Sequence, residues 1–200
     1  MTQSSKTTEA ISARATGVLF FAGFGSLWLY HGVSAMHALN FVTSAAVGTI
    51  FAALAVPAAM LLKSTSKARQ AGANLKQSTE MSRAFFRVNA IQWTAILAVV
   101  VLFNILQKQE FLAAVITFIV GMHLFPMAEI LRYPAHKVTG TLLVLWAIAM
   151  VTLFPGQMMP SVGNLGTAVI LLGSAAYTLA SASRAAKSKP ISGRLSHAGV

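Results

Sequence analysis

The sequence predicts an all-α membrane protein, a compact bundle of six transmembrane helices with both termini on the cytoplasmic side. Three observations predict it: the composition, six long apolar stretches, and the placement of basic residues. Of the 200 residues, 56% are hydrophobic and only 10% are charged, and the mean hydropathy is +0.70. A water-soluble domain of this size has too little interior to hide so much apolar surface, so the exterior must face lipid.

The apolar stretches have the length of membrane spans. A helix needs roughly 20 mostly apolar residues to cross a hydrocarbon layer about 30 Å thick. Period-two alternation, which a membrane β-barrel would show, is missing from the sequence. Short loops make consecutive spans antiparallel neighbours, which predicts three adjacent hairpins in one domain, residues 1–182. The predicted spans are 16–35, 41–62, 84–106, 111–131, 138–156 and 164–182.

The basic residues predict the orientation. Fourteen of the fifteen Lys and Arg residues lie before span one, in the loop 63–83 and its flanks, between spans four and five, or in the tail 183–200. Only Lys108 falls on the other side. Cytoplasmic loops carry such an excess, so both termini are predicted to be cytoplasmic in a multi-pass protein of the bacterial inner (plasma) membrane. The loop is expected to fray or to form helical extensions on the membrane surface, and the basic tail is expected to be disordered.

A cleaved signal peptide is the alternative interpretation of the first apolar run, 16–35. The run follows two basic residues and ends in Val33-Ser34-Ala35, which a signal peptidase would tolerate. The run is long for a signal, and Trp28, Tyr30 and His31 are typical of an interfacial aromatic belt. Cleavage would leave five spans and an external N-terminus.

Several classes of function are excluded by missing residue types. Cysteine and aspartate do not occur, so disulfides, thiolate ligands, cysteine nucleophiles and carboxylate-rich cation sites are excluded. The sequence has no HExxH, GxSxG, phosphate-loop or Rossmann pattern, so we expect no enzymatic activity, no cofactor and no metal. The acidic residues are Glu9, Glu80, Glu110 and Glu129.

The net charge of +11 first suggests nucleic acid as a partner. The basic residues, however, flank apolar runs and form no aromatic-interleaved patch. The expected partner is therefore the lipid bilayer, whose anionic headgroups attract such side chains, and not nucleic acid.

Polar side chains on spans three and four form the candidate ligand-binding site. Span three carries Arg87, Asn89 and Gln92, and span four carries His123 and Glu129. At a rise of about 1.5 Å per residue, Gln92 and His123 both lie about 12 Å from the inner boundary and can meet. Asn89 and Gln92 share a helix face, but Arg87 points away from it, so the spacing does not aim all three at His123.

Two further expectations concern the inner edge of the membrane. Glu129 is expected near Arg83 and Arg87, where a carboxylate can pair with a guanidinium group. His136 lies in the turn that connects spans four and five, and we expect it to be solvated.

The leading functional hypothesis is a cytoplasm-facing cavity between spans three and four that transports or senses a proton-linked or small polar solute. The competing interpretation is that His123, Asn89 and Gln92 only join helices. A second hypothesis is a non-catalytic subunit or scaffold of a larger membrane complex. A third is a haem or quinone carrier, for which His31 and His37 would join His123 as candidate ligands.

Small residues also predict close helix packing, within the bundle or in a homo-oligomer. They crowd the first, second and sixth spans: Gly23, Gly25, Ser26, Ala45, Ala46, Gly48, Ala52, Ala53, Gly166, Gly173, Ser174 and Ala176.

Overall fold

Six helices account for nearly all of the described chain. The computed structural model describes residues 3–72, 75–154 and 158–187, and within these ranges no residue forms a strand. All six helices are long and apolar enough to span a membrane, which confirms the predicted number of candidate spans. A single 3₁₀ turn, Gln109–Phe111, precedes the fourth helix. The helices are α1 Gln3–Ala35, α2 Phe41–Gly72, α3 Leu75–Ile105, α4 Leu112–Ile130, α5 Ala135–Leu153 and α6 Met158–Lys187.

The predicted cytoplasmic loop 63–83 is largely helical. α2 continues through it to Gly72, and α3 begins at Leu75. Lys, Ala, Arg and Gln in this segment favour helix, and a glycine is a common end point. α6 likewise continues to Lys187, into the predicted tail, while residues 188–200 lie outside the described part of the chain. Pro57 does not end α2, which runs on past it.

The hairpin turns are closed by local backbone geometry. His37, Gln107 and Arg132, which follow α1, α3 and α4, all have positive φ angles, of 55°, 54° and 49°. A residue in this left-handed conformation commonly ends a helix and satisfies its last carbonyl groups. At the start of α2, Thr43 N–H donates to Asn40 Oδ1 at 3.0 Å, and Asn40 N–H donates to Thr43 Oγ1 at 2.9 Å. This reciprocal pair caps the helix.

The core lies among α1, α4, α5 and α6. α1 packs most extensively on α6 and α2, and α4 packs on α5, while α3 packs chiefly on α4. α5 also packs on α6, so the three predicted hairpin pairs, α1–α2, α3–α4 and α5–α6, are each in contact. α2 and α3 bury few side chains and form the periphery of the bundle. The central cluster contains Val18, Phe21, Ala22, Ala58, Val120, Leu124, Leu143, Leu171 and Ala175.

The outer surface is apolar. Phe41 is 88% exposed, Ile105 is 72% exposed and Phe86 is 69% exposed, and many other large apolar side chains face outward. Such an exterior is costly in water and is the normal exterior of a helix bundle in hydrocarbon.

α4 and α5 touch backbone to backbone at two glycines. A methyl group added at Gly140 would lie 2.7 Å from the carbonyl oxygen of Gly121, and one added at Gly121 would lie 2.9 Å from the carbonyl oxygen of Gly140. Only glycine fits at this crossing, because the nearest atom on each side is a backbone carbonyl oxygen, which cannot move aside as the end of a flexible side chain can. Small residues at such crossings are the usual device for packing helices inside a membrane.

We predict that Gly140→Ala destabilises the bundle by roughly 1–3 kcal/mol, the usual cost of overpacking. The measurement is thermal unfolding of the purified protein in detergent micelles. Gly173→Ala is the matched control, because an added methyl group there meets no atom within 4 Å. Equal unfolding temperatures for the two variants would contradict the close crossing.

Candidate functional site

His123 lies at the interface of α4 and α3. Its side chain is buried, with 8% of the residue exposed, and its imidazole interacts with the backbone of Val88 on α3. This histidine therefore lies against α3 at Val88, whereas the sequence predicted that it could meet Gln92.

Gln92 lies one helical turn beyond Val88 on the same face of α3. Four residues at the helical rise place Gln92 about 6 Å further along the axis. The sequence predicted that Gln92 and His123 lie level, and they do not. Gln92 is 3% exposed, and it is the only fully buried side chain between residues 83 and 105. Its Oε1 atom is buried without a hydrogen-bond partner. Between residues 83 and 105, the one side chain of α3 that is fully buried in the bundle is therefore polar.

The other three predicted site residues do not join this pair. Asn89 Nδ2 donates to the carbonyl oxygen of Phe85 at 3.1 Å, so its amide is bound within its own helix. Arg87 is exposed on the outer side of α3, as the helical phase predicted. Glu129 is exposed and pairs with Lys137 Nζ at 2.5 Å.

The expectation that Glu129 pairs with Arg83 or Arg87 is therefore wrong. The short connection between α4 and α5 brings Lys137 close to Glu129, so the carboxylate pairs with this lysine and not with an arginine of α3.

His136 is buried, and the expectation that it is solvated is wrong. It is 3% exposed and its ring packs edge-on against Phe21 of α1 at 5.2 Å and against Tyr133 at 5.1 Å between ring centroids. Its Nδ1 atom is buried without a hydrogen-bond partner. The imidazole packs over Gly17, where an added methyl group would lie 3.4 Å from Cε1.

The sequence contained a signal for this burial. His136 begins a series at helical spacing along α5 whose members face the core: Thr139, Gly140, Leu143, Ala147 and Met150. Extending that face back by one turn includes His136, whereas its position beside Arg132, Pro134 and Lys137 suggested a solvated turn.

Tyr133 and Arg14 complete a second polar cluster that sequence reasoning missed. Tyr133 is 8% exposed, and its hydroxyl oxygen is buried and unpaired. The guanidinium carbon of Arg14 lies 5.1 Å from the centre of the Tyr133 ring, and Arg14 Nη1 donates to Ser181 Oγ at 3.2 Å. We call Arg14, Tyr133 and His136 the inner cluster.

Ser26 Oγ and Asn164 Oδ1 are also buried without a hydrogen-bond partner, whereas a group of threonine and tryptophan side chains is paired and holds helices together. Thr117 Oγ1 of α4 lies 2.9 Å from Thr167 Oγ1 of α6, which donates to the carbonyl oxygen of Gly163 at 2.9 Å. Trp146 Nε1 of α5 donates to the same carbonyl oxygen at 3.1 Å. These contacts join α4, α5 and α6 with neutral side chains, as is usual in membrane bundles.

The remaining histidines lie elsewhere. His31 and His37 are exposed near the other end of the first hairpin, far along α1 from the inner cluster. Among the described residues, no group of three or more His, Cys, Asp or Glu side chains could hold a metal ion. No observation pairs His123 with either of these histidines as haem ligands.

An open, mostly apolar groove runs along the outer face of α1. The groove includes none of the five predicted site residues. Beside it, the ring of Phe24 on α1 contacts the ring of Trp93 on α3, with centroids 6.0 Å apart. The groove is lined by Thr16, Leu19, Phe20, Gly23, Phe24 and Leu27.

Comparisons of the chain with protein-family models, with curated proteins and with solved structures find no match.

We predict that Gln92→Met leaves the unfolding temperature unchanged or raises it, because the substitution removes a buried oxygen that has no partner. Thr117→Val is the reference variant, and it should cost about 1 kcal/mol through loss of a paired buried hydroxyl. Thermal unfolding in detergent measures both. A loss for Gln92→Met equal to that for Thr117→Val would show that Gln92 joins helices and is not kept for a ligand.

Proposed function

We propose that this chain is a non-enzymatic, multi-pass protein of the bacterial inner membrane, with both termini cytoplasmic, that moves or senses a proton-linked or small polar solute. The solute would bind at an inner-facing polar site formed by His123 and Gln92 between α3 and α4. The observation that carries the proposal is the buried, unpaired amide oxygen of Gln92 on a helix with no other fully buried side chain in its described apolar part.

The cost of that placement supports a ligand site. In hydrocarbon an unpaired polar group costs free energy and finds no water, so polar residues inside membranes are retained chiefly for function. The bundle already has paired contacts that join its helices, such as Thr117 with Thr167. Gln92 adds no such contact, so helix joining does not explain it.

The chemistry of the pair suits a proton or a neutral polar solute. A neutral imidazole and a primary amide each offer both a donor and an acceptor without charge. No described carboxylate joins the pair, since Glu129 pairs with Lys137 and Glu110 pairs with Lys108. A bare metal cation would therefore lack the oxygen ligands it prefers.

The arrangement of charges supports the proposed orientation. Arg83, Arg132 and Lys137 lie at the end of the bundle where α2 meets α3 and α4 meets α5. Lys108 lies at the opposite end, beside the turn into α4. By the positive-inside rule, this arrangement supports a cytoplasmic location for the first end.

A membrane scaffold is the second candidate function, and the exposed face of α2 favours it. Ala45, Gly48 and Ala52 are exposed on this helix, and a methyl group added at Gly48 would meet no atom within 4 Å. Small residues on an outer face permit the close approach of another helix. Recovery of a stoichiometric partner in mild detergent would support this function.

We predict that wild-type proteoliposomes on a solid-supported membrane give transient currents after a pH step or after addition of a small polar solute. The panel would contain sugars, amino acids and short organic acids. His123→Ala should reduce the current by roughly tenfold or more, because it removes a hydrogen-bonding group that carries charge when protonated. His31→Ala is the matched control, since that histidine is exposed at the other end of the bundle.

Two results would contradict the proposal. The first is an unchanged current from His123→Ala whose unfolding temperature matches that of the wild type. The second is the absence of any solute- or pH-induced current from folded wild-type protein across the whole panel.

A further inference from the structure

The three residues of the inner cluster, Arg14, Tyr133 and His136, have no role in the solute site proposed at His123 and Gln92. The cluster joins α1, the turn before α5, the first turn of α5 and, through Ser181, α6. We propose that Arg14, Tyr133 and His136 form a binding site for a small oxyanion, a carboxylate or a phosphate group.

Arg14 supplies a positive charge in a fixed position. Its guanidinium group is held between the Ser181 hydroxyl, at 3.2 Å, and the face of the Tyr133 ring, at 5.1 Å. The bond to Ser181 uses one N–H group, and a guanidinium group has five, in a fork that fits the two oxygens of a carboxylate or phosphate. Arg14 is partly exposed, so a ligand can reach it from the surface.

Tyr133 and His136 supply two buried polar atoms that have no partner in the protein. These atoms are the hydroxyl oxygen of Tyr133 and Nδ1 of His136, on rings whose centroids are 5.1 Å apart. A phenol hydroxyl is a donor, and an imidazole nitrogen that carries its proton is a donor too. Each group would gain a hydrogen bond from an oxyanion, which repays the cost of burying it.

The surroundings favour an anion over a cation. Both rings lie in the turn between α4 and α5, where the negative end of the α4 dipole opposes the positive end of the α5 dipole, so the net charge at the site comes from Arg14. The described carboxylates do not fill the site, because Glu110 pairs with Lys108 and Glu129 pairs with Lys137. A guanidinium group repels cations, and together with two hydrogen-bond donors it attracts oxyanions.

Two sources could provide this chemistry. In the proposed orientation the cluster lies at the inner end of the bundle, near the depth of the headgroups. A free carboxylate or phosphate from the cytoplasm could bind there, and so could the phosphate of an anionic lipid. The inference is independent of solute movement at His123.

The test measures ligand-dependent thermal stability of the full-length protein in detergent. The probes are sodium phosphate and sodium acetate against sodium chloride at equal ionic strength, and phosphatidylglycerol against phosphatidylcholine. The variants are Tyr133→Phe and Arg14→Gln. Lys137→Gln is the control, because it also removes one positive charge beside His136 but from an exposed side chain that pairs with Glu129.

We expect phosphate or acetate to raise the unfolding temperature of the wild type and of Lys137→Gln. Tyr133→Phe should weaken the apparent affinity by roughly tenfold, the loss of one charge-assisted hydrogen bond, and Arg14→Gln should weaken it further. Without any anion, Tyr133→Phe should be at least as stable as the wild type, since it loses an unpaired hydroxyl. The same variant pattern with phosphatidylglycerol alone would identify the oxyanion as a lipid phosphate.

The proposal is overturned if no probe stabilises the wild type, or if the stabilisation is the same in Tyr133→Phe. It is also overturned if Tyr133→Phe lowers the stability without anion, which would make the hydroxyl a structural group. Tyr133→Phe decides the matter even if Arg14→Gln fails to fold, because the ring that packs on His136 is kept.

Discussion

The hydrocarbon interior of a bilayer offers no hydrogen-bonding partner, and the six long apolar helices are of the kind that this constraint requires. Backbone groups are satisfied inside long helices, and apolar side chains such as Phe41, Phe86 and Ile105 can face outward without cost. Helix association then depends on close packing and on a few polar contacts, because lipid is as apolar as the core. The backbone crossing of Gly121 and Gly140 is the clearest example of such packing.

The same constraint divides the buried polar side chains into two sets. Thr117, Thr167 and Trp146 are paired across helices and have an evident structural role. Gln92, Tyr133 and His136 carry buried atoms without partners. Ser26 Oγ and Asn164 Oδ1 are also buried without partners, so an unpaired atom alone does not mark a ligand site. We propose ligand binding only where such atoms lie near His123 or Arg14. The two sites proposed for this chain consist of residues from the second set together with His123 and Arg14.

The sequence was sufficient for the helices and insufficient for the contacts between them. Hydropathy identified six helices because span length is a strong local signal. It did not show how far α2 and α3 extend, since helix formers beyond Lys63 and before Arg83 continue the helix into a polar segment. Orientation stays a prediction from charge, and residues 188–200 lie outside the described chain.

Depth along each span predicted the site only coarsely. His123 lies against α3, but at Val88, one turn from the predicted Gln92. Glu129 is taken by Lys137, a closer partner that depth alone could not exclude. His136 was placed by its charged neighbours in sequence, whereas its rotation on α5 turns it toward Phe21. In the sequence, Arg14 counted only among the basic residues that predict orientation, and its contacts with Ser181 and Tyr133 were not predicted.

Cysteine accessibility tests the central claim, that lipid surrounds six spans with the basic end inside, most directly. The chain has no cysteine, so a single cysteine introduced at Ala73 or Gln109 is the only target of a membrane-impermeant maleimide in spheroplasts. We expect Gln109→Cys to be labelled in intact spheroplasts and Ala73→Cys to be labelled only after permeabilisation. Equal labelling of both positions without permeabilisation would contradict it.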